Sequence, residues 1–139
     1  LLYLASRAQH VDLKIRPALS KGEWILCDRF NASTYAFQGK GRGLDWATIS
    51  QLNAFATAEL QPDLTIYLDI SIEESQRRQK SRTLDRMESE SLTFHNNVLS
   101  AYQELADKEK NWLTLDGHST PQTLLENIIR DLKEKKWLA

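Results

Sequence analysis

A mixed α/β fold built on a parallel sheet is the class this sequence predicts, and three observations predict it. Short apolar runs, Trp24 to Cys27, Leu64 to Ile70 and Trp112 to Leu115, are separated by segments with helical periodicity. Strands separated by helices imply parallel pairing through right-handed crossovers. Each run leads into an aspartate, Asp28, Asp69 or Asp116, so three acids are expected along one sheet edge. Ligands of open α/β sheets bind beyond that edge, at the carboxyl ends of the strands.

The elements follow in order. An opening helix is expected to run to about Ala18 or Ser20, with Pro17 bending or ending its last turn. Lys21-Gly22 marks the turn into the strand Trp24–Cys27, whose apolar character suits burial. After a Gly-rich loop, Asp45 begins a helix through Leu60, and Gln61-Pro62 stops it. The strand Leu64–Ile70 precedes a helix from Ile72 to about Gln79 and then a basic segment. A long helix is expected from about Glu88 to Glu109, then a third strand at Trp112–Leu115. Thr120-Pro121 opens a final amphipathic helix ending near Trp137.

Composition bounds the function classes. A chain of 139 residues, 41% hydrophobic and 27% charged, can fill one compact core. A formal net charge of −1 argues against a general nucleic-acid coat, so no nucleic-acid polymer is expected as partner. No apolar run approaches the roughly 20 residues that cross a bilayer, so no membrane partner is expected and the cytoplasm is the default location. Cys27 is the single cysteine, cannot form an internal disulfide, and is expected as a small core residue. His10, His95 and His118 are scattered without metal-ligand spacing and read as surface or helix residues.

Chemistry concentrates at two places. At Asp28-Arg29 an apolar run ends in an acid and a guanidinium. A carboxylate there can hold Mg²⁺ or its waters, and arginine grips phosphate with a planar fork. The plain alternative is a surface ion pair or helix cap. The sequel Asn31 to Gly43, dense in hydroxyls, amides, aromatics and glycines, favours a pocket wall for base and phosphate. The second place is Arg77 to Arg86, whose one-sided charge suits a flap that neutralises a phosphoryl transition state, against the alternative of a solvated helix end.

In order and spacing, these motifs resemble the thymidylate kinases of bacterial type. The resemblance rests on Leu1 to His10, Asp28-Arg29-Phe30, Ser33-Thr34 with Tyr35 to Gly39, Gly41 to Asp45, Pro62 to Asp69, and Leu84 to Glu88. It covers nearly the whole chain, treated as a single partial domain 1–139 with a lid at about 77–88. It implies a P-loop kinase fold of the nucleoside monophosphate kinase type, three-layered around a parallel sheet. No G-x-x-x-x-G-K-[ST] occurs in the sequence, and Leu1 opens in a mid-helix pattern. A carboxyl-terminal portion lacking the first strand and the phosphate loop is therefore expected. Without that central strand the flanking edges would lose ladder partners, so poor folding or aggregation of the chain alone is expected.

The implied activity of the complete protein is phosphorylation of dTMP by Mg·ATP in dTTP biosynthesis, with Mg²⁺ as cofactor and a homodimer as assembly. By resemblance, Tyr3 stacks on thymine and Arg7 reaches its carbonyl edge. Arg29 clamps the dTMP phosphate, and Asp28 stands at the metal, through water. Ser33 and Thr34 contact the pyrimidine, with Phe37 and Gln38 beside sugar and base. Arg82 and Arg78 are the catalytic lid candidates, joined by Arg77, Lys80 and Arg86, with Asp85 and Glu88 at the lid base. Asp116, Gly117 and His118 would wall the adenine site. Tyr3 as helix core and Gln38-Gly39 as turn chemistry stay open. The sequence departs from the commonest family pattern at Ser6, Phe30 and Gly117. A deoxynucleoside kinase, or a remnant binding nucleotide or a partner, are the alternatives.

Overall fold

The computed structural model describes residues 1–79 and 90–138. They fall into two compact units, Leu1–Pro62 with Leu92–Tyr102, and Asp63–Ser91 with Gln103–Ala139.

The first unit is helical. Its opening segment is continuous from Leu2 to Leu19: α1 (Leu2–His10), a wider π-helical turn over Val11–Ile15, and α2 (Arg16–Leu19). Pro17 follows this wider turn, in the first turn of α2, and has no N–H to donate back into it. Val11 and Ile15 face the core. Asp45 caps α3 (Trp46–Thr57), its side chain accepting from Thr48 N at 2.7 Å. α3 ends at Thr57, before the expected Leu60, because Ala58 and Glu59 take left-handed φ values of 46° and 62°. Arg16 donates to the carbonyls of Thr57 at 3.2 Å and Ala58 at 2.7 Å, placing a cation at the negative end of α3. Val11, Ile15, Ala32, Ala36, Ile49, Phe94, Val98 and Ala101 form the core.

Two expectations fail here. The Gly-rich stretch is not a loop: Thr34–Gly41 forms a π-helical turn. Its glycines permit close approach, since a Cβ on Gly39 would lie 2.6 Å from the Trp46 ring nitrogen and one on Gly41 2.7 Å from the Phe94 ring. The second failure is Trp24–Cys27, which belongs to no strand among the described residues. A segment becomes a strand only by pairing, and among the described residues the sheet consists of two strands that pair with each other. Leu26 is accordingly 97% exposed, and Cys27 is half-buried instead of in the core of a sheet.

The second unit carries the parallel sheet. β1 (Thr65–Asp69) pairs with β2 (Trp112–Asp116) in the register Thr65↔Trp112 through Asp69↔Asp116. The ladder is extended at both ends, by Thr65 N to Asn111 O and Gly117 N to Asp69 O, each 2.8 Å. Asp69 and Asp116 thus stand side by side at the carboxyl edge, as expected, while Asp28 lies outside the sheet. Ser71 Oγ accepts from Glu74 N at the start of α4 (Ile72–Gln79). α5 (Leu92–Lys108) contributes residues to both units. Thr120 caps α6 (Pro121–Glu134), its Oγ1 accepting from Thr123 N.

Candidate active site

Asp28-Arg29-Phe30 forms a three-residue turn closed by Phe30 N donating to Asp28 O at 2.8 Å. Arg29 has φ 62° and Phe30 φ 29°, two adjacent left-handed residues that are not glycine. Each such residue costs on the order of 1–3 kcal/mol, and strain of this kind clusters where side chains must meet a ligand. The turn brings the Arg29 guanidinium to 5.8 Å from the Phe37 ring centroid. Asp28 and Arg29 are both exposed.

One turn of α1 separates Tyr3 from Arg7, so the two share a helix face. Tyr3 is 67% exposed and is not helix core. Arg7 is half-buried and donates to Asn53 Oδ1 at 2.7 Å and to Thr34 Oγ1 at 2.9 Å. Both acceptors are neutral, and both residues are buried. Burial pushes the Arg7 guanidinium below the usual arginine range, yet an arginine remains charged at any ordinary pH. A cation is therefore fixed in a polar niche in which none of the described residues supplies a carboxylate to it.

Ser33 and Tyr102 share a hydrogen bond of 2.9 Å between their hydroxyls, and burial raises the Tyr102 phenol while the Ser33 bond opposes that rise. Phe37 lies 6.1 Å from Phe94, ring centroid to centroid. The Gln38 carbonyl accepts from Leu44 N. The first unit therefore brings Tyr3, Arg7, Asp28, Arg29, Ser33, Thr34, Phe37 and Gln38 into one helical body.

In the second unit Glu74 holds two of the predicted arginines. Arg77 makes a two-pronged contact with it at 2.7 and 2.8 Å, and Arg78 Nε donates to it at 2.6 Å. These bonds hold the Glu74 carboxyl at about 2, Arg77 contributing most. Arg78 also donates to Gly117 O at 2.8 Å, tying the end of α4 to the loop beyond β2. In that loop Asp116 Oδ1 accepts from His118 N at 2.9 Å and contacts His118 Nδ1 at 2.7 Å. The backbone bond first, then the ring, holds Asp116 below the usual carboxylate range. A Cβ on Gly117 would collide with the Ile70 side chain. Lys80, Arg82, Asp85, Arg86 and Glu88, the rest of the expected lid, lie outside the described residues.

No group of three His, Cys, Asp or Glu side chains able to hold a metal occurs among the described residues. An Mg²⁺ accompanied by substrate phosphates needs only one or two protein carboxylates, and the exposed Asp28 carboxylate fits that limited role. No helix among the described residues is long and apolar enough to cross a membrane.

Two residues of the site carry no sequence signal. Asn53 sits at a helix-interior position that reads as an ordinary amide, and Tyr102 in a periodic helix reads as core. Only the long-range bonds to Arg7 and Ser33 reveal them.

Parallel pairing of β1 with β2 in the second unit and a grouped set of arginine, hydroxyl and aromatic side chains in the first define a mixed α/β protein. Comparison with known proteins makes the class particular. The family model for thymidylate kinase matches residues 1–137. The thymidylate kinase of Bdellovibrio bacteriovorus is 47% identical over 99% of this chain and 68% of its own length. Those of Synechococcus sp. (strain WH7803) and Trichodesmium erythraeum are each 45% identical, over 92% and 97% of this chain. The chain spans 60% of the length of each of these two relatives. It belongs to the thymidylate kinase family, as the sequence motifs implied, and that membership implies the P-loop kinase fold.

Proposed function

We propose that the complete protein phosphorylates dTMP to dTDP with Mg·ATP, and that this chain supplies its acceptor site, lid and adenine-side loop as one partial domain. The observation that carries the proposal is the strained Asp28-Arg29-Phe30 turn in the same unit as the Arg7–Thr34–Asn53 cluster. A phosphate-binding fork and a base-reading fork are what a nucleoside monophosphate requires.

In the proposed reaction a dTMP phosphate oxygen attacks the γ-phosphorus of ATP in line, the bond to the β-phosphate oxygen breaks, and ADP leaves. No protein nucleophile takes part; positioning and cationic stabilisation supply the acceleration. Arg29 holds the acceptor phosphate, and Tyr3 offers an exposed aromatic face for the base. Arg7 donates to the base's carbonyl edge, while Ser33, Thr34, Phe37 and Gln38 complete the wall. Mg²⁺ would supply charge neutralisation between the transferring phosphates, with Asp28 holding its water. Arg78 and Arg77, with Lys80, Arg82 and Arg86, neutralise developing charge, Asp85 and Glu88 stand at the lid base, and Asp116, Gly117 and His118 flank adenine. A cytoplasmic homodimer is part of this reading. Leu2 on α1 and Phe55 on α3, each 88% exposed, support apolar contact faces on those helices.

The test is dTMP-dependent ADP release from Mg·ATP, run on the protein encoded by the full reading frame that carries this chain. Turnover with dTMP and none with thymidine supports the proposal. Turnover with thymidine alone makes it a deoxynucleoside kinase. Silence with both, in a folded protein, leaves a nucleotide-binding or partner-binding role.

A further inference from the structure

Asn53 is 2% exposed, and within the described residues its Nδ2 has no hydrogen-bond partner. A buried amide that leaves a donor unpaired needs an explanation, because an apolar side chain of similar size would avoid the penalty. Thr57 below it on α3 uses its hydroxyl on the Asn53 carbonyl, at 3.0 Å, and offers nothing to the amide. The orientation of the amide is dictated by Arg7. Its Oδ1 accepts from Arg7 Nη1 at 2.7 Å, and turning the group over would set an N–H₂ against the guanidinium N–H.

The second hold on the same guanidinium is Thr34 Oγ1, which accepts from Nη2 at 2.9 Å. Asn53 comes from α3, Thr34 from the π-helical turn and Arg7 from α1, so one planar fork is pinned from two independent elements. Among the described residues these two bonds use two of the five guanidinium N–H groups. A carboxylate at position 53 would do more than hold the fork: it would neutralise the cation and weaken its donation to a neutral carbonyl. An amide holds the fork and leaves the charge in place.

We propose that Asn53 is a specificity-determining positioning residue, whose side-chain oxygen aligns Arg7 so that the remaining guanidinium N–H groups meet the carbonyl edge of a pyrimidine. The inference rests on the function proposed above and deepens it. Asn53 acts through Arg7 and touches no reacting atom.

The experiment uses the full-length protein with Asn53→Leu, Asn53→Asp, Arg7→Ala and the double variant Arg7→Ala/Asn53→Leu, with circular dichroism melts as the folding control. KM and kcat are measured for dTMP and ATP, with dCMP as a competing acceptor that lacks the 4-carbonyl. Loss of a hydrogen bond to a charged group predicts about a tenfold rise in dTMP KM for Asn53→Leu, with ATP KM unchanged and kcat within roughly threefold. The preference for dTMP over dCMP should narrow by a similar factor. Asn53→Asp, which keeps the acceptor, should hold the fold and still lose part of that preference. In the Arg7→Ala background, Asn53→Leu should add nothing to dTMP KM, since a positioning residue has no effect without the group it positions. Additive effects in the double variant, or an unchanged dTMP to dCMP ratio in both Asn53 variants, overturn the inference. Failure of the wild-type protein to use dTMP overturns the function proposal instead.

Discussion

The two units achieve order by different means. In the first, the grouped side chains come from distant parts of the chain: Arg7 reaches Thr34 and Asn53, and Ser33 reaches Tyr102. In the second, the ladder between β1 and β2 sets the frame, and most bonds at the charged positions are local. Glu74 meets Arg77 and Arg78 within one helical turn, and Asp116 meets His118 two residues on. The one longer tie among these described residues is Arg78 to Gly117. The difference teaches where preorganisation resides. A site tied across elements resists being rearranged one residue at a time, whereas a locally bonded arginine can exchange Glu74 for another anion at little cost.

Substitution tests that contrast. The largest effect is expected from Arg29→Ala, which should lower kcat/KM for dTMP about 10²–10³-fold in the full-length protein by removing a cationic donor from the acceptor phosphate. Unchanged steady-state kinetics would end the phosphate-clamp role. Next comes Asp45→Ala, which removes the cap of α3 and should lower the midpoint of denaturant unfolding. Because α3 carries Asn53, a loss of dTMP affinity exceeding that of Thr120→Ala, which removes the cap of α6 in the second unit, would show that the α3 cap also serves the site.

Tyr102→Phe removes only the hydroxyl that meets Ser33 and should cost about 0.5–1.5 kcal/mol, with little change in ATP KM. A large change in ATP KM would instead give Tyr102 a role beyond the first unit. The smallest effect is expected from pH at Glu74. Its carboxyl is held at about 2, below the ordinary 4.5, so the fold favours its charged form. The resulting stabilisation is complete above about 4.5 and is lost as pH falls through about 2. Carboxyl NMR titration should place Glu74 near the lower value and return it toward 4.5 in Arg77→Ala. A wild-type midpoint near 4.5 would show that the arginines are already free in solution.

Near-neighbour chemistry makes much of the fold legible in the sequence. Asp45 and Thr120-Pro121 mark helix starts because their side chains and ring chemistry act on the next three residues, and both helices begin there. The alternating strand and helix pattern places β1 and β2 within a residue of where they form and implies parallel pairing between them. Motifs in order, from Tyr3 and Arg7 through Asp28-Arg29 to Asp116-Gly117-His118, are enough to name the family.

Other features depend on groups far apart in the chain. Trp24–Cys27 has the composition of a strand, but strand formation requires a partner that its own residues cannot supply. The glycines of Thr34–Gly41 suggest a loop, and the rings of Trp46 and Phe94 decide that they pack as a wide helical turn. Asn53 reads as an ordinary helix amide, and only Arg7, 46 residues earlier, gives its oxygen a direction. By itself the sequence determined the elements governed by near neighbours, together with the family that its motifs spell out. Which residues hold the Arg7 guanidinium was decided only by tertiary structure, because a hydrogen bond between distant residues exists only once packing has brought them within about 3 Å.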